Sequence, residues 1–226
     1  MMRIVSLLPA LLLFAFMSTQ ASALSWRTSC EVDPGAIRRS GSSYVFSTSK
    51  NHCTGGIFKQ RAELTSNDFS VSRKATYVFS TSVAMTAKSR EPFIVFQIHD
   101  GRNGCSPPLS LRWQGNGSLS FDSDYTKGKG MAGCVENRSL RNVRYRGPSL
   151  KRNGTAYLLK VAMTFDGQGA FDVAVSVDGK PVLSGKYAPP SDAQFVRSKR
   201  FFLKHGVYSK NIWPYEMTSQ GLRVSR

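Results

Sequence analysis

Apolar residues that recur at every second position dominate this chain, and they restrict it to extended strands. Tyr157, Leu159, Val161, Met163 and Phe165 fall on one face of a strand, and Phe171, Val173, Val175 and Val177 on one face of the next. Asp166-Gly167 and Asp178-Gly179 supply turns that fold such strands back antiparallel. Similar signals predict strands at 42–49, 57–64, 75–86, 93–99, 108–114, 117–122, 182–187, 200–208 and 221–225. Long amphipathic helical patterns are missing. So many short strands between Gly, Pro, Asn and Ser turns predict an all-β fold, a two-sheet antiparallel sandwich or jelly roll. No repeat or linker divides it, so one domain is expected over 24–226.

Residues 1–23 stand apart. Arg3 is the one charge among them, Ile4 to Met17 is almost unbroken apolar sequence, and Ala21-Ser22-Ala23 has the small-x-small pattern of a signal-peptidase site. The segment reads as a secretory signal. Pro9 and a length short of the ~20 residues of a bilayer span argue against an anchor, so a secreted or periplasmic chain with no membrane partner is expected. All four cysteines, Cys30, Cys53, Cys105 and Cys134, follow this segment. An even count in an oxidising compartment implies two disulfides with three possible connectivities, of which Cys30–Cys53 with Cys105–Cys134 is favoured. Zinc is a poor alternative, since no C-x-x-C or H-E-x-x-H occurs and the histidines are only His52, His99 and His205.

With 31 Lys and Arg against 14 Asp and Glu, the formal charge of +17 directs attention to an anionic polymer. No nuclease or nucleic-acid-binding motif accompanies it, and nucleic acid is not the expected partner. Between Asn137 and Asn153, Arg138, Arg141, Arg144, Arg146, Lys151 and Arg152 occur without an acidic residue, in a region whose Gly147-Pro148 and Asn153-Gly154 pairs mark loops. This stretch is expected to be a basic loop beside a groove.

Strand parity singles out a small set of reactive groups. On strand 57–64, Lys59, Arg61 and Glu63 share one face, while Phe58, Ala62 and Leu64 share the other. Gln97 and His99 project together from strand 93–99, opposite Ile94, Phe96 and Ile98. On strand 200–208, Lys204, Gly206 and Tyr208 lie opposite Phe201, Leu203, His205 and Val207.

At these residues the chain resembles the β-jelly-roll polysaccharide lyases. Arg61-Ala62-Glu63-Leu64 is similar to their R-x-E-L motif, Gln97-Ile98-His99 to Q-I-H, and Lys204-His205-Gly206-Val207-Tyr208 to K-x-G-x-Y, in the same order. Pro107-Pro108-Leu109-Ser110-Leu111-Arg112, after Q-I-H, also resembles their pattern. The group includes alginate lyases and, on related sheets, glucuronan lyases and heparin lyase I. The chain departs from the alginate lyases at His205, where a small residue is usual, at Lys210, where Gln is usual, and at Thr65 and Ser66, where another Arg often occurs.

The resemblance implies a concanavalin-like jelly roll that cleaves a uronate polymer by β-elimination. That reaction removes the C5 proton beside a carboxylate, whose charge must be neutralised. Arg61 and Gln97 can both donate to that carboxylate. His99 is a base or a further neutraliser, and Tyr208 is the acid at O4 and, in some relatives, also the base. Lys59, Glu63, Arg112, Arg144, Arg146 and Lys204 are expected around the substrate, with Glu63 orienting Arg61. The scheme needs no metal or cofactor, although Asp122-Ser123-Asp124 is compatible with the structural calcium of some relatives. An acidic polysaccharide is the expected partner of a monomeric enzyme. The competing readings are a non-catalytic carbohydrate-binding jelly roll and a glycoside hydrolase, which would need two closely placed carboxylates that the scattered acids do not offer.

Overall fold

The computed structural model describes residues 24–31, 33–51, 53, 57–128 and 133–226. The expected signal segment and His52 lie outside them. In chain order the strands are β1 (Trp26–Cys30), β2 (Ile37–Ser40), β3 (Ser43–Ser47), β4 (Gln60–Ser66), β5 (Phe69–Ser70), β6 (Ala75–Thr86), β7 (Phe93–His99) and β8 (Leu109–Trp113). Then come β9 (Leu119–Asp122), β10 (Asp124–Thr126), β11 (Cys134–Glu136) and a one-turn helix, α1 (Arg138–Arg141). The chain ends with β12 (Asn153–Phe165), β13 (Phe171–Val177), β14 (Lys180–Tyr187), β15 (Arg200–Ser209) and β16 (Glu216–Ser225).

Among the described residues, these strands form two seven-stranded antiparallel sheets and a two-stranded ribbon, β10-β11. The first sheet runs β1-β4-β15-β7-β8-β9, with β5 also paired to β15; the second runs β14-β13-β12-β6-β16-β3-β2. This is the two-sheet jelly roll that the alternation predicts. The core is built from alternate residues of both sheets, with Phe79, Val161 and Met163 of the second packed in one cluster with Phe96, Leu203 and Val207 of the first. All six are fully buried, and burying a side chain of this size contributes roughly 1.5–3 kcal/mol.

Strands β6, β7 and β13 coincide with their predicted spans. The unpredicted β1 and β2 are the edge strands of the two sheets. Their polar sequences WRTSC and IRRS suit edges, which need no apolar row. Strand β12 begins at Asn153, within a pair that signals a turn. Gly154 has φ 88°, and the pairing with β6 shifts register between Asn153 and Ala156, so this Asn-Gly forms a bulge inside the strand. The disulfides are Cys30–Cys53 and Cys105–Cys134, the favoured pairing.

The basic stretch after Asn137 is not a free loop. Its first residues form α1, and Arg141 is ion-paired through Nη2 with Asp122 (2.6 Å) and donates from Nη2 to Asp124 (2.8 Å) and from Nη1 to Glu136 (3.4 Å). Arg152 is half-buried among the rings of Phe93, Trp113 and Trp213, and donates to the carbonyls of Ser89, Glu91, Trp113 and Gln114. Both arginines hold the fold together.

Candidate active site

Strand register in the first sheet brings the three motifs together on the face turned away from the second sheet. Tyr208 on β15 pairs with Arg61 on β4 and with Ile94 on β7, and Ile94 pairs with Arg112 on β8. In the next row Lys204 pairs with Gln97, Gln97 with Ser110, and Ser110 with Asp122 on β9. These side chains and His99 line one cleft, closed on one side by Arg102 to Pro107. Cys105, in that rim, is tied to Cys134.

Two expectations from strict alternation need correction. Ile94 lies in the cleft rather than the core, because the β7–β8 register shifts between Ile94 and Phe96. Val95 and Phe96 both join the core at this bulge. Phe58 also faces the cleft, because β4 starts only at Gln60 and residues 57–59 bend over the site. Its ring packs 4.8 Å from that of Tyr208.

Glu63 holds Arg61 and Gln97 together. It is 1% exposed and accepts from Arg61 Nε at 2.9 Å and from Gln97 Nε2 at 3.1 Å. Arg61 and Gln97 sit on strands separated by β15, and the residue of β15 opposite Glu63 is Gly206. A Cβ there would come within 2.2 Å of the Ala62 carbonyl oxygen. The glycine of K-x-G-x-Y therefore permits close approach of β4 and leaves the space through which Glu63 reaches Gln97. With two donors held by one buried carboxylate, Arg61 and Gln97 present their remaining N–H groups in a set geometry.

His99 stacks on Phe202, with centroids 4.9 Å apart, and its Nδ1 accepts the backbone N–H of Gly101 at 2.8 Å. Only an unprotonated nitrogen can accept, so the ring proton resides on Nε2. Burial first, then Lys204 and Arg61 against the opposing Asp100, bring the His99 pKa down to about 4. The imidazole is neutral at pH 7. Tyr208 Oη accepts two backbone N–H groups, from Ile57 at 2.9 Å and Phe58 at 3.2 Å. The Arg61 guanidinium lies 5.5 Å from the centre of its ring.

Among the described lining residues, Arg61, Arg102, Arg112 and Lys204 face one carboxylate, Asp122. Arg112 and Arg141 both bind that carboxylate, at 2.7 and 2.6 Å. Burial lowers the Lys204 pKa, Glu63 opposing and Arg61 assisting. The cleft is a cationic pocket suited to an anion. Of the expected substrate-binding residues, Arg112 and Lys204 line it and Glu63 lies beneath Arg61 and Gln97. Lys59 is exposed beside the cleft lining, with its N–H on the Lys210 carbonyl. Arg144 and Arg146 are also exposed and do not line the cleft; Arg146 is tied through its N–H to Val182 on β14, in the other sheet. Asp122 and Asp124 are engaged by Arg141, and among the described residues no group of three or more His, Cys, Asp or Glu is placed to hold a metal. This pair does not fit a calcium site.

Ile57, Phe58 and Arg102 line the cleft without having been singled out in the sequence. The first two act through backbone atoms, which leave no residue-type signal.

No protein-family model matches the chain, and no curated protein does. Solved structures do. An alginate lyase from Alteromonas sp. 272 superposes with TM-score 0.54 at 11% identity, over 88% of this chain and 93% of that one. A substrate-bound family 7 alginate lyase gives 0.53 at 17% identity, over 81% and 76%, and the alginate lyase from Klebsiella pneumoniae 0.52 at 14%, over 81% of both. The chain has the jelly-roll fold of alginate lyases. Within this fold, R-x-E-L, Q-I-H and K-x-G-x-Y occupy three adjacent strands, β4, β7 and β15, with K-x-G-x-Y between the other two.

Proposed function

We propose that the chain is an exported polysaccharide lyase that cleaves a uronic-acid-containing polysaccharide by β-elimination, acting as a monomer without a metal. The fold of the alginate lyases and the cationic cleft support this reading. The observation that carries it is the placement of Tyr208 Oη, which receives two backbone N–H bonds beside the Glu63-held pair of Arg61 and Gln97.

Arg61 and Gln97 bind the uronate carboxylate, and the Nε2–H of His99 donates to it as well, so that charge passing from C5 into the carboxylate is neutralised. Nδ1 of His99 is occupied and Nε2 carries a proton, which leaves base duty to Tyr208. In its phenolate form Tyr208 is stabilised by the Ile57 and Phe58 N–H groups. It takes the C5 proton, the electron pair becomes the C4–C5 double bond, and the C4–O4 bond breaks. The same phenol returns its proton to O4 and regenerates the phenolate. One fragment leaves with a free hydroxyl and the other with an unsaturated uronate end.

Alginate is the first polymer to test, because the structural neighbours named above are alginate lyases. A panel of alginate, glucuronan and sulfated glycosaminoglycans, followed by the absorbance of the unsaturated uronate, tests the activity. Absorbance with at least one of them, lost in Tyr208→Phe, is expected; a parent that binds them and cuts none refutes the lyase and leaves a binding protein. Export predicts that the mature protein begins near Leu24 and has no titratable thiol, and an N-terminus at Met1 in the extracellular fraction would overturn the cleavage site.

A further inference from the structure

A second cationic depression lies where β6, β8 and β12 meet their connecting loops. It is lined by residues 87–90 before β7, 115–117 between β8 and β9, and 149–153 leading into β12. Lys88, Arg90 and Lys151 are exposed there, none is in an ion pair with the described acids, and no acidic residue shares the lining. Glu91, the next acid along the chain, accepts from Asn211 instead.

The depression is a built feature. Arg152 joins its loops from beneath through four carbonyls, and the loops also bond one another: Ser149 Oγ to Asn116 O at 2.7 Å, Leu150 N to Gly117 O at 2.8 Å and Ala87 N to Arg152 O at 3.0 Å. Gly115 and Gly117 allow this packing, since a Cβ at either would fall within 2.4 Å of Arg90 O or Ser149 Oγ. Burial lowers the Arg152 pKa to about 10, with the Glu91 carboxylate opposing, so Arg152 stays charged at pH 7 and adds a fourth cation to the lining.

The chain leaving β8 leads from the cleft to this depression. Arg112 lines the cleft and also a shallow groove with Gln114, Ser120 and Arg141. Gln114 is followed directly by Gly115 of the depression, three residues from Arg112 and thus about 10 Å along an extended chain.

We propose that Lys88, Arg90 and Lys151 form an accessory site for the anionic polysaccharide, holding the part of a long uronate chain that extends beyond the cleft. The proposal rests on the polyuronate reading of the cleft. Its occupant is a linear polyanion of carboxylate-bearing sugars, which spaced, unpaired cations match, and its effect is confined to chains long enough to reach past Gln114.

The test is the pair Lys88→Glu with Arg90→Glu, measured on high-molecular-weight alginate and on a short oligouronate. Expected results are a KM for the long polymer raised about fivefold or more, with a weaker dependence on salt, and unchanged kcat and KM for the short chain. The milder pair Lys88→Ser with Arg90→Ser should give a smaller shift in the same direction at an unchanged Tm. Equal effects on long and short chains, or none on either, would overturn the accessory site. Equilibrium binding of long alginate, followed with and without the double substitution in the Tyr208→Phe background, separates the two ideas. Binding that weakens at least threefold supports the site whether or not the parent protein cleaves the polymer, and cleavage by the parent is read separately as the test of the lyase; binding unaltered by the substitution rejects the site.

Discussion

Nδ1 of His99 accepts the backbone N–H of Gly101 at 2.8 Å, and this contact fixes where the imidazole proton can reside. A donor at Nε2 can bind a carboxylate and cannot take a proton from carbon. His99→Gln, whose amide keeps an N–H near the Nε2 position, should therefore retain about tenfold more turnover than His99→Ala. A base role would make both substitutions equally inactive, and steady-state kcat on a cleavable uronate polymer distinguishes the outcomes.

Tyr208 Oη accepts from two main-chain donors, one of them on a residue that is itself 75% exposed. Ile57→Ala keeps that N–H and should behave like the parent. Ile57→Pro deletes it, and kcat should fall by ~10-fold or more with little change in Tm. Equal kinetics for the two variants would remove the N–H groups from the mechanism. Tyr208→Phe is expected to lose at least ~10²-fold in kcat while polymer binding stays near parental.

Glu63 is buried beneath Arg61 and Gln97, so Glu63→Gln removes the charge that pairs with Arg61 and turns an NH2 group toward one of the two donors. Turnover should drop ~10-fold or more, and stability by on the order of 3 kcal/mol, read from urea unfolding. Gly206→Ala should cost at least as much stability, because its methyl group meets the Ala62 carbonyl and forces β4 from β15. A Gly206→Ala protein with parental Tm would refute the close-approach argument.

His205 lies at 0% exposure between Phe46 and Phe79, with its two nitrogens bonded to Val95 O at 2.8 Å and Ser219 Oγ at 2.9 Å. Burial lowers its pKa to about 4, against the ordinary 6.5, as it does for His99. Between those values the unfolded chain takes up protons that the folded chain refuses. Stability is therefore complete above pH 6.5, declines as pH falls through the window, and levels off below about pH 4. Urea midpoints measured from pH 7 to 4 should follow this course, and His205→Gln, though less stable at pH 7, should show a shallower decline. An identical slope would place the acid sensitivity elsewhere.

Period-two alternation along β6, β12 and β13, the shared face of Gln97 and His99 and the parity of Lys204 and Tyr208 against His205 were determined by local sequence. Whether residues i and i+2 share a face depends on one strand alone, and this is why R-x-E-L, Q-I-H and K-x-G-x-Y were legible as one site. Tertiary structure alone decided the rest. The bulge that turns Ile94 into the cleft comes from the offset between β7 and β8, and the edge strands β1 and β2 carry no apolar row to announce them. Arg141 and Arg152, indistinguishable in sequence from the exposed Arg144 and Arg146, became structural because distant carboxylates and carbonyls surround them. The donors to Tyr208 are backbone N–H groups 150 and 151 residues away in the chain. Every residue except proline has such a group, so only the path of the folded chain can determine which of them meets the phenol.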